Sequence, residues 1–190
     1  MDDLTVRPAT SSDWDTIAAL FGANGACGGC WCMHPRCGES GPRWRALKGA
    51  PNRERFRALV TRDAVHGVLA FDARTPVGWC SFGPRTDFPR LARARVLKRE
   101  SPNAPWSIVC FYIPAKRRGQ GIAGKLLAGA VARMAELGVR EIEGYPVVVE
   151  DGQRAPGAFA WTGVPALFAA AGFAPERKPG VRRSVWVRAL

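Results

Sequence analysis

The sequence predicts an α/β protein of the α+β kind. Its expected centre is a mixed, mostly antiparallel sheet of six to seven strands flanked by helices. Three observations carry this. Residues 67–71 (GVLAF) and 77–82 (VGWCSF), separated by DARTP, read as an antiparallel hairpin. Residues 106–113 (WSIVCFYI) are apolar on both faces, as a central buried strand must be. Ile122, Leu126, Leu127, Ala130, Val131, Met134 and Leu137 then recur along one helical stripe, stopped by Gly138.

The remaining elements fall around these. Residues 4–8 read as a short first strand. Ser11, Ser12 and Asp13 offer caps for a helix burying Trp14, Ile17, Ala18 and Phe21. Residues 22–41 are rich in glycine, cysteine and proline and predict a long loop. A second helix starting near Pro51 or Asn52 buries Phe56, Leu59 and Val60. Gly83-Pro84 ends the hairpin, and the arginine-rich stretch 87–100 reads as a basic surface helix. A strand over 140–149 is interrupted by Gly144 and Pro146. An alanine-rich helix over 161–171 closes at Gly172, and two terminal strands are expected at 173–176 and 184–187.

The length of 190 residues suits one domain over 1–190 with a real core. Hydrophobic residues at 47% and charged residues at 23% place the chain among globular rather than disordered proteins. No apolar run reaches the length of a membrane span, and MDDLTVRP lacks the apolar stretch of a secretory signal. The expected location is cytoplasmic, with no membrane partner. Lysines and arginines number 28 against 16 acidic residues, a net charge of +12. Such a surface attracts polyanions, phosphorylated small molecules among them. Zinc-finger spacing and an aromatic-basic strand platform are both missing, so no nucleic-acid partner is expected.

The strongest functional signal is YIPAKRRGQGIAGKLL, residues 112–127. An apolar strand ends at a proline, a basic pair follows, and Gly119, Gly121 and Gly124 lead into the amphipathic helix. Free N–H groups and the dipole at a helix start bind phosphate, and glycine lets the backbone approach it closely. Arg117, Arg118 and Lys125 stand beside that turn to screen phosphate charge.

Arg118-Gly119-Gln120-Gly121-Ile122-Ala123 resembles the Gln/Arg-x-x-Gly-x-Gly/Ala motif of the GCN5-related N-acetyltransferase (GNAT) superfamily. Ala166-Leu167-Phe168-Ala169-Ala170-Ala171-Gly172-Phe173 is similar to that superfamily's late helix, which ends in a Gly-Phe pair. The resemblance covers most of the chain and implies a sheet splayed between its fourth and fifth strands. It implies acetyl-CoA as co-substrate, with no metal. The cofactor would lie against Phe111, Tyr112 and Ile113, whose backbone pairs with pantetheine, and against Arg118, Gly119, Gln120, Gly121, Ile122, Ala123, Gly124, Lys125 and Phe168. The reaction implied is direct transfer of acetyl to a primary amine of a small molecule or protein, in a ternary complex. A homodimer is the assembly the resemblance suggests.

One position departs from that pattern. Many members carry a tyrosine in the late helix that protonates the leaving thiolate, and Phe168 stands there with no proton to give. Either the thiolate leaves unassisted or another group serves, with Tyr145 ranked ahead of Tyr112 and Cys110 as the replacement donor. Glu143 shares Tyr145's face of an extended strand and is the candidate base. Glu141 shares that face further back, and His34 and His66 are the only imidazoles. The alternative activity is a non-catalytic acyl-CoA-binding regulator.

Four cysteines, Cys27, Cys30, Cys32 and Cys37, surround Trp31 and His34 within the loop at 22–41. Three readings stand open: thiols that pack or line the substrate site, a structural metal site, and redox-sensitive thiols. In members of the superfamily this loop commonly lines the acceptor site, which draws Trp31 and Trp44 toward an aromatic substrate wall.

Overall fold

The computed structural model describes residues 4–147, 160–176 and 184–190. Seven strands form one sheet: β1 (Leu4–Pro8), β2 (His66–Asp72), β3 (Thr75–Pro84), β4 (Trp106–Tyr112), β5 (Glu141–Gly144), β6 (Ala174–Pro175) and β7 (Trp186–Ala189). Their spatial order is β1-β2-β3-β4-β5-β7-β6. Every pairing is antiparallel except β4–β5, which is parallel. The helices are α1 (Trp14–Phe21), α2 (Gly41–Leu47), α3 (Ala50–Thr61), α4 (Pro89–Arg93), α5 (Ile122–Glu136) and α6 (Pro165–Ala170). None is long and apolar enough to cross a membrane.

The sheet is covered on both faces. On one, α5 buries Ile122, Leu126, Leu127, Ala130 and Met134 against Val68, Cys80 and Ile108. On the other, α1 and α3 pack Ile17, Phe21 and Phe56 around Trp79, which is fully buried. This explains why β4 reads as apolar throughout: both its faces meet a core.

The parallel pair β4–β5 is short. Trp106, Ser107 and Ile108 face Ile142, Glu143 and Gly144, and there the ladder ends. Beyond it, residues 160–163 enter between the parting strands. The Phe111 N–H donates to the Trp161 carbonyl at 2.7 Å, and the Val147 N–H donates to the Gly163 carbonyl at 2.9 Å. Gly144 is required at the end of β5, because a Cβ there would collide with the Phe168 ring.

Several expected elements take a different form. The basic helix over 87–100 is broken: α4 stops at Arg93, Ala94 is extended (φ −79°, ψ 101°), and a single 3-10 turn follows at Arg95–Leu97. The break leaves Arg99 free to turn inward. The late helix begins at Pro165 rather than 161, because residues 160–163 pair with β4 and the chain beyond β5. Helix α2, built on Gly-Pro-Arg-Trp, lies in what reads as loop edge. The strand expected over 140–149 is shorter, and its last residues lie outside the described ones. His66 opens β2, with its ring 4.7 Å from that of Trp106 and 6.3 Å from that of Phe82.

Candidate active site

A groove of about 590 Å³ runs along the open end of the β4–β5 parting and over the start of α5. Its floor is the backbone of Phe111, Tyr112 and Ile113, and its head is the turn between β4 and α5. Pro114 starts a 3-10 turn at Ala115–Arg117, and Gly119 (φ 74°) and Gly121 (φ 75°) then take the left-handed conformation that glycine adopts without strain. Gly121 is the N-cap of α5. The N–H groups of Gly124 and Lys125 fold back onto the Gly121 carbonyl, at 3.0 and 3.3 Å. Those from Gly119 to Ala123 bond to no described residue, and they stand at the positive end of a helix of 15 residues. This is an anion cradle made of backbone.

Arg117, Arg118, Gly119, Gly121, Ile122, Ala123 and Gly124 line the groove. Gln120, Lys125 and Phe168 do not. The Gln120 amide donates to the Lys116 carbonyl at 3.3 Å, and Lys125 Nζ donates to the Leu4 carbonyl at 3.4 Å. Phe168 lies beneath the groove, fully buried against Phe111 and Phe173. Arg118 Nε donates to the Ile113 carbonyl at 3.1 Å, which ties the basic pair to the strand end. Arg117 is held by Asp72 at 2.8 Å. Sequence reasoning missed the opposite wall, formed by Trp161, Gly163, Val164 and Leu167. Gly163 carried a signal: its φ of +83° and the Phe168 ring beside it both demand glycine.

Two cavities adjoin the groove. One, of about 160 Å³, lies under the 22–41 loop and shares Ala26, Cys27, Phe111, Tyr112 and Trp161 with the groove. The other, of about 390 Å³, is walled by Leu91, Leu97, Val109, Tyr145 and Thr162. His34, Pro35 and Trp161 line both cavities, and the His34 ring meets those of Trp44 and Trp161 edge-on, each at 5.2 Å. Trp44 lines the smaller cavity, whereas Trp31 is buried among Trp14 and Phe21.

Glu143 and Tyr145 come together, but in a closed network rather than in the groove. The Tyr145 hydroxyl donates to Glu143 Oε2 at 2.5 Å, receives Arg85 Nη1 at 2.9 Å, and lies 2.7 Å from Ser107 Oγ. Glu143 also accepts from Arg85 and from Arg99, the latter at 2.9 Å. Arg99 continues to Glu141 and to Glu176. Burial, then the Glu143 charge, pushes the Tyr145 phenol well above its ordinary range. Arg85 and Arg99 are therefore not the solvated charges their composition suggests, because each answers a buried carboxylate. Tyr112 contrasts with Tyr145: it lines both the groove and the smaller cavity, and burial raises its phenol.

Among the described residues, no three His, Cys, Asp or Glu side chains converge as ligands for a metal ion. The four-cysteine set named above does not assemble there. Cys32 turns inward against Trp79, while Cys37 sits beside Glu39 and Arg90.

The helix-start cradle lies beside two central strands that pair in parallel and then part. A family model described as Acetyltransferase (GNAT) family matches residues 37–160. The chain belongs to that family, and an N-acetyltransferase is the enzyme class that follows. Among solved structures, a GCN5-related N-acetyltransferase from Kribbella flavida superposes with a TM-score of 0.57 at 20% identity, covering 100% of this chain and 99% of that one. The PaiA N-acetyltransferase of Thermoplasma acidophilum, solved in complex with coenzyme A, gives 0.55 at 15% identity over 98% and 99%. The yncA structure from Salmonella typhimurium, solved with its cofactor acetyl-CoA, gives 0.57 at 14% identity over 100% and 95%. No curated protein matches the sequence.

Proposed function

We propose that this protein transfers acetyl from acetyl-CoA to a primary amine held in the cavities beneath the 22–41 loop. The carrying observation is the continuity of two spaces: the backbone cradle and groove on one side, the loop cavity on the other, with Phe111, Tyr112 and Trp161 common to both. The N–H groups from Gly119 to Ala123 would hold the paired phosphates, with Arg118 as the nearby cation. The acyl arm would follow β4 toward Tyr112, where the amine meets the thioester. Holding both reactants at that junction supplies most of the acceleration.

The proton inventory assigns roles. His34 is the imidazole at the junction of the two cavities and is our base for the amine. Tyr112 is the proton donor at the groove for the departing thiolate, since Phe168 has none and Tyr145 already donates to Glu143. Glu143 and Tyr145 act by fixing β5 at the parting.

The test is thiol release from acetyl-CoA across a panel of primary amines, alongside calorimetry of acetyl-CoA binding. Amine-dependent release with His34→Ala lowering kcat supports the scheme. Tight binding with no release for any amine moves the protein to the regulator reading, which Phe168 favours. No binding overturns both.

A further inference from the structure

Four thiols, Cys27, Cys30, Cys32 and Cys110, line the cavity of about 160 Å³ under the loop, and the transfer scheme above uses none of them. Two of them differ from the rest. Trp31 (φ 47°) and Cys32 (φ 57°) are consecutive non-glycine residues in the left-handed region. Such strain survives only where the surroundings over-determine it. Its effect is to turn Cys32 inward against the sheet. There Trp79 Nε1–H donates to Cys32 Sγ at 3.4 Å, and the Ser81 hydroxyl and Cys110 thiol hydrogen-bond to the same sulfur. Arg36, whose Nη2 donates to Ser81 Oγ at 3.4 Å, adds a positive charge beside it.

Three donors and a cation favour the thiolate. The Cys110 hydrogen bond, followed by the Arg36 charge against the cost of burial, brings the Cys32 thiol down to about 6. The bond to Cys32, then burial, pushes Cys110 well above the ordinary thiol range. The other groups facing Cys32 do not compete for that role. Burial pushes Cys30 of the loop up to about 12 and raises Cys80 of β3 well above the ordinary thiol range. Burial lowers the Arg36 guanidinium from its ordinary range, Cys32 and Asp87 oppose that, and an arginine stays charged. The two sulfurs thus share one proton as a unit, and half-buried Cys110 opens that unit to the cavity.

We propose that Cys32 and Cys110 form an oxidation site for hydroperoxides, with Cys32 the attacking sulfur and Cys110 the resolving thiol. The Cys32 thiolate attacks the terminal peroxide oxygen: an S–O bond forms, the O–O bond breaks, and the alkoxide (hydroxide, for hydrogen peroxide) leaves and takes a proton from solvent. Sulfur is oxidised to the sulfenic acid and the peroxide is reduced to alcohol or water. The Cys110 sulfur then displaces the sulfenic oxygen, which leaves as water with the Cys110 proton, and a disulfide remains. That bond would staple the 22–41 loop to β4 at the residue before Phe111, next to the groove. The chemistry needs no acetyl-CoA, so the site stands independently of the transfer scheme.

The test uses the reduced full-length protein and substoichiometric hydrogen peroxide without air. The expected result is loss of two thiols per peroxide, with one cross-linked peptide joining Cys32 to Cys110 on non-reducing mapping. The rate should rise with pH through about 6. Cys110→Ser protein should stop at a dimedone-trapped sulfenic acid on Cys32, and Cys32→Ser should react about tenfold more slowly or less. Oxidation spread over Cys27 and Cys30, or a rate that climbs only through the ordinary thiol range, overturns the proposal. Mapping the unsubstituted protein settles the pairing even where a variant does not fold.

Discussion

The two ends of the β4–β5 pair are built from opposite materials. At the open end, the cradle is backbone: glycines in left-handed conformation, N–H groups that bond to no described residue and one helix dipole, with side chains only at its rim. At the paired end, Arg85, Arg99, Glu141, Glu143, Tyr145 and Ser107 hold the strands through side chains buried beside the ladder. A backbone site keeps its shape when a rim residue changes, and loses it when a glycine does. A charged network fails as a unit when one member is removed. Binding should therefore be lost at one end, and stability at the other.

Glu143→Ala is the largest expected break in that contrast. It strands the guanidinium of Arg85, 17% exposed, leaves Arg99, 11% exposed, to Glu141 and Glu176 alone, and should cost about 3–5 kcal/mol in urea unfolding. The remaining folded protein should bind acetyl-CoA unchanged; a large affinity loss at full stability would reverse the assignment of the two ends.

A second side-chain cluster sharpens the contrast through pH. Asp13 accepts Arg7 Nη1 and Nη2 at 2.8 and 2.6 Å, and both the N–H and the hydroxyl of Thr10 at 2.9 Å. The Arg7 guanidinium is the main cause that holds its carboxyl down at about 2, from an ordinary 3.8. A depressed carboxyl stabilises the fold fully above its unfolded value and loses that contribution as pH falls from near 3.8 toward 2. The loss should be about 2 kcal/mol, and Asp13→Asn should abolish it in that window. An unaltered acid-unfolding slope in the variant refutes this account.

At the cradle the scale is smaller and the readout changes. Gly121→Ala puts a Cβ where φ is 75°, in space open to solvent. The fold should lose about 1 kcal/mol, while acetyl-CoA binding by calorimetry should weaken about tenfold, or ~1.4 kcal/mol. Equal effects on both would mean the turn serves the fold alone. Arg118→Ala comes last: a rim cation worth under about 1 kcal/mol of affinity, most of it gone at high salt. A salt-independent loss would place that guanidinium in a more intimate contact.

The same contrast explains what could be read in advance. The cradle was legible because its parts are consecutive: strand, proline, basic pair, glycines and apolar stripe within residues 106–137. The network was not, since Arg85 and Glu143 stand 58 positions apart and nothing local pairs them. The arginines of 87–100 looked like a solvated helix face because periodicity cannot see the break at Ala94 that frees Arg99. Glu143 and Tyr145 were placed on a common face, and they do meet; what that face opens onto depended on loops. The cysteines were recognised as a group, yet Cys110, from a strand 78 positions after Cys32, is the partner that gives Cys32 its character.

The Trp161 carbonyl has a further meaning for anything that lies along β4. It already engages the Phe111 amide, so the protein acts as its own competitor for that donor. A guest wanting the same hydrogen must evict a tryptophan-bearing turn, and the turn in question is the partition between groove and cavities. Entry on one side would then loosen the wall facing the other.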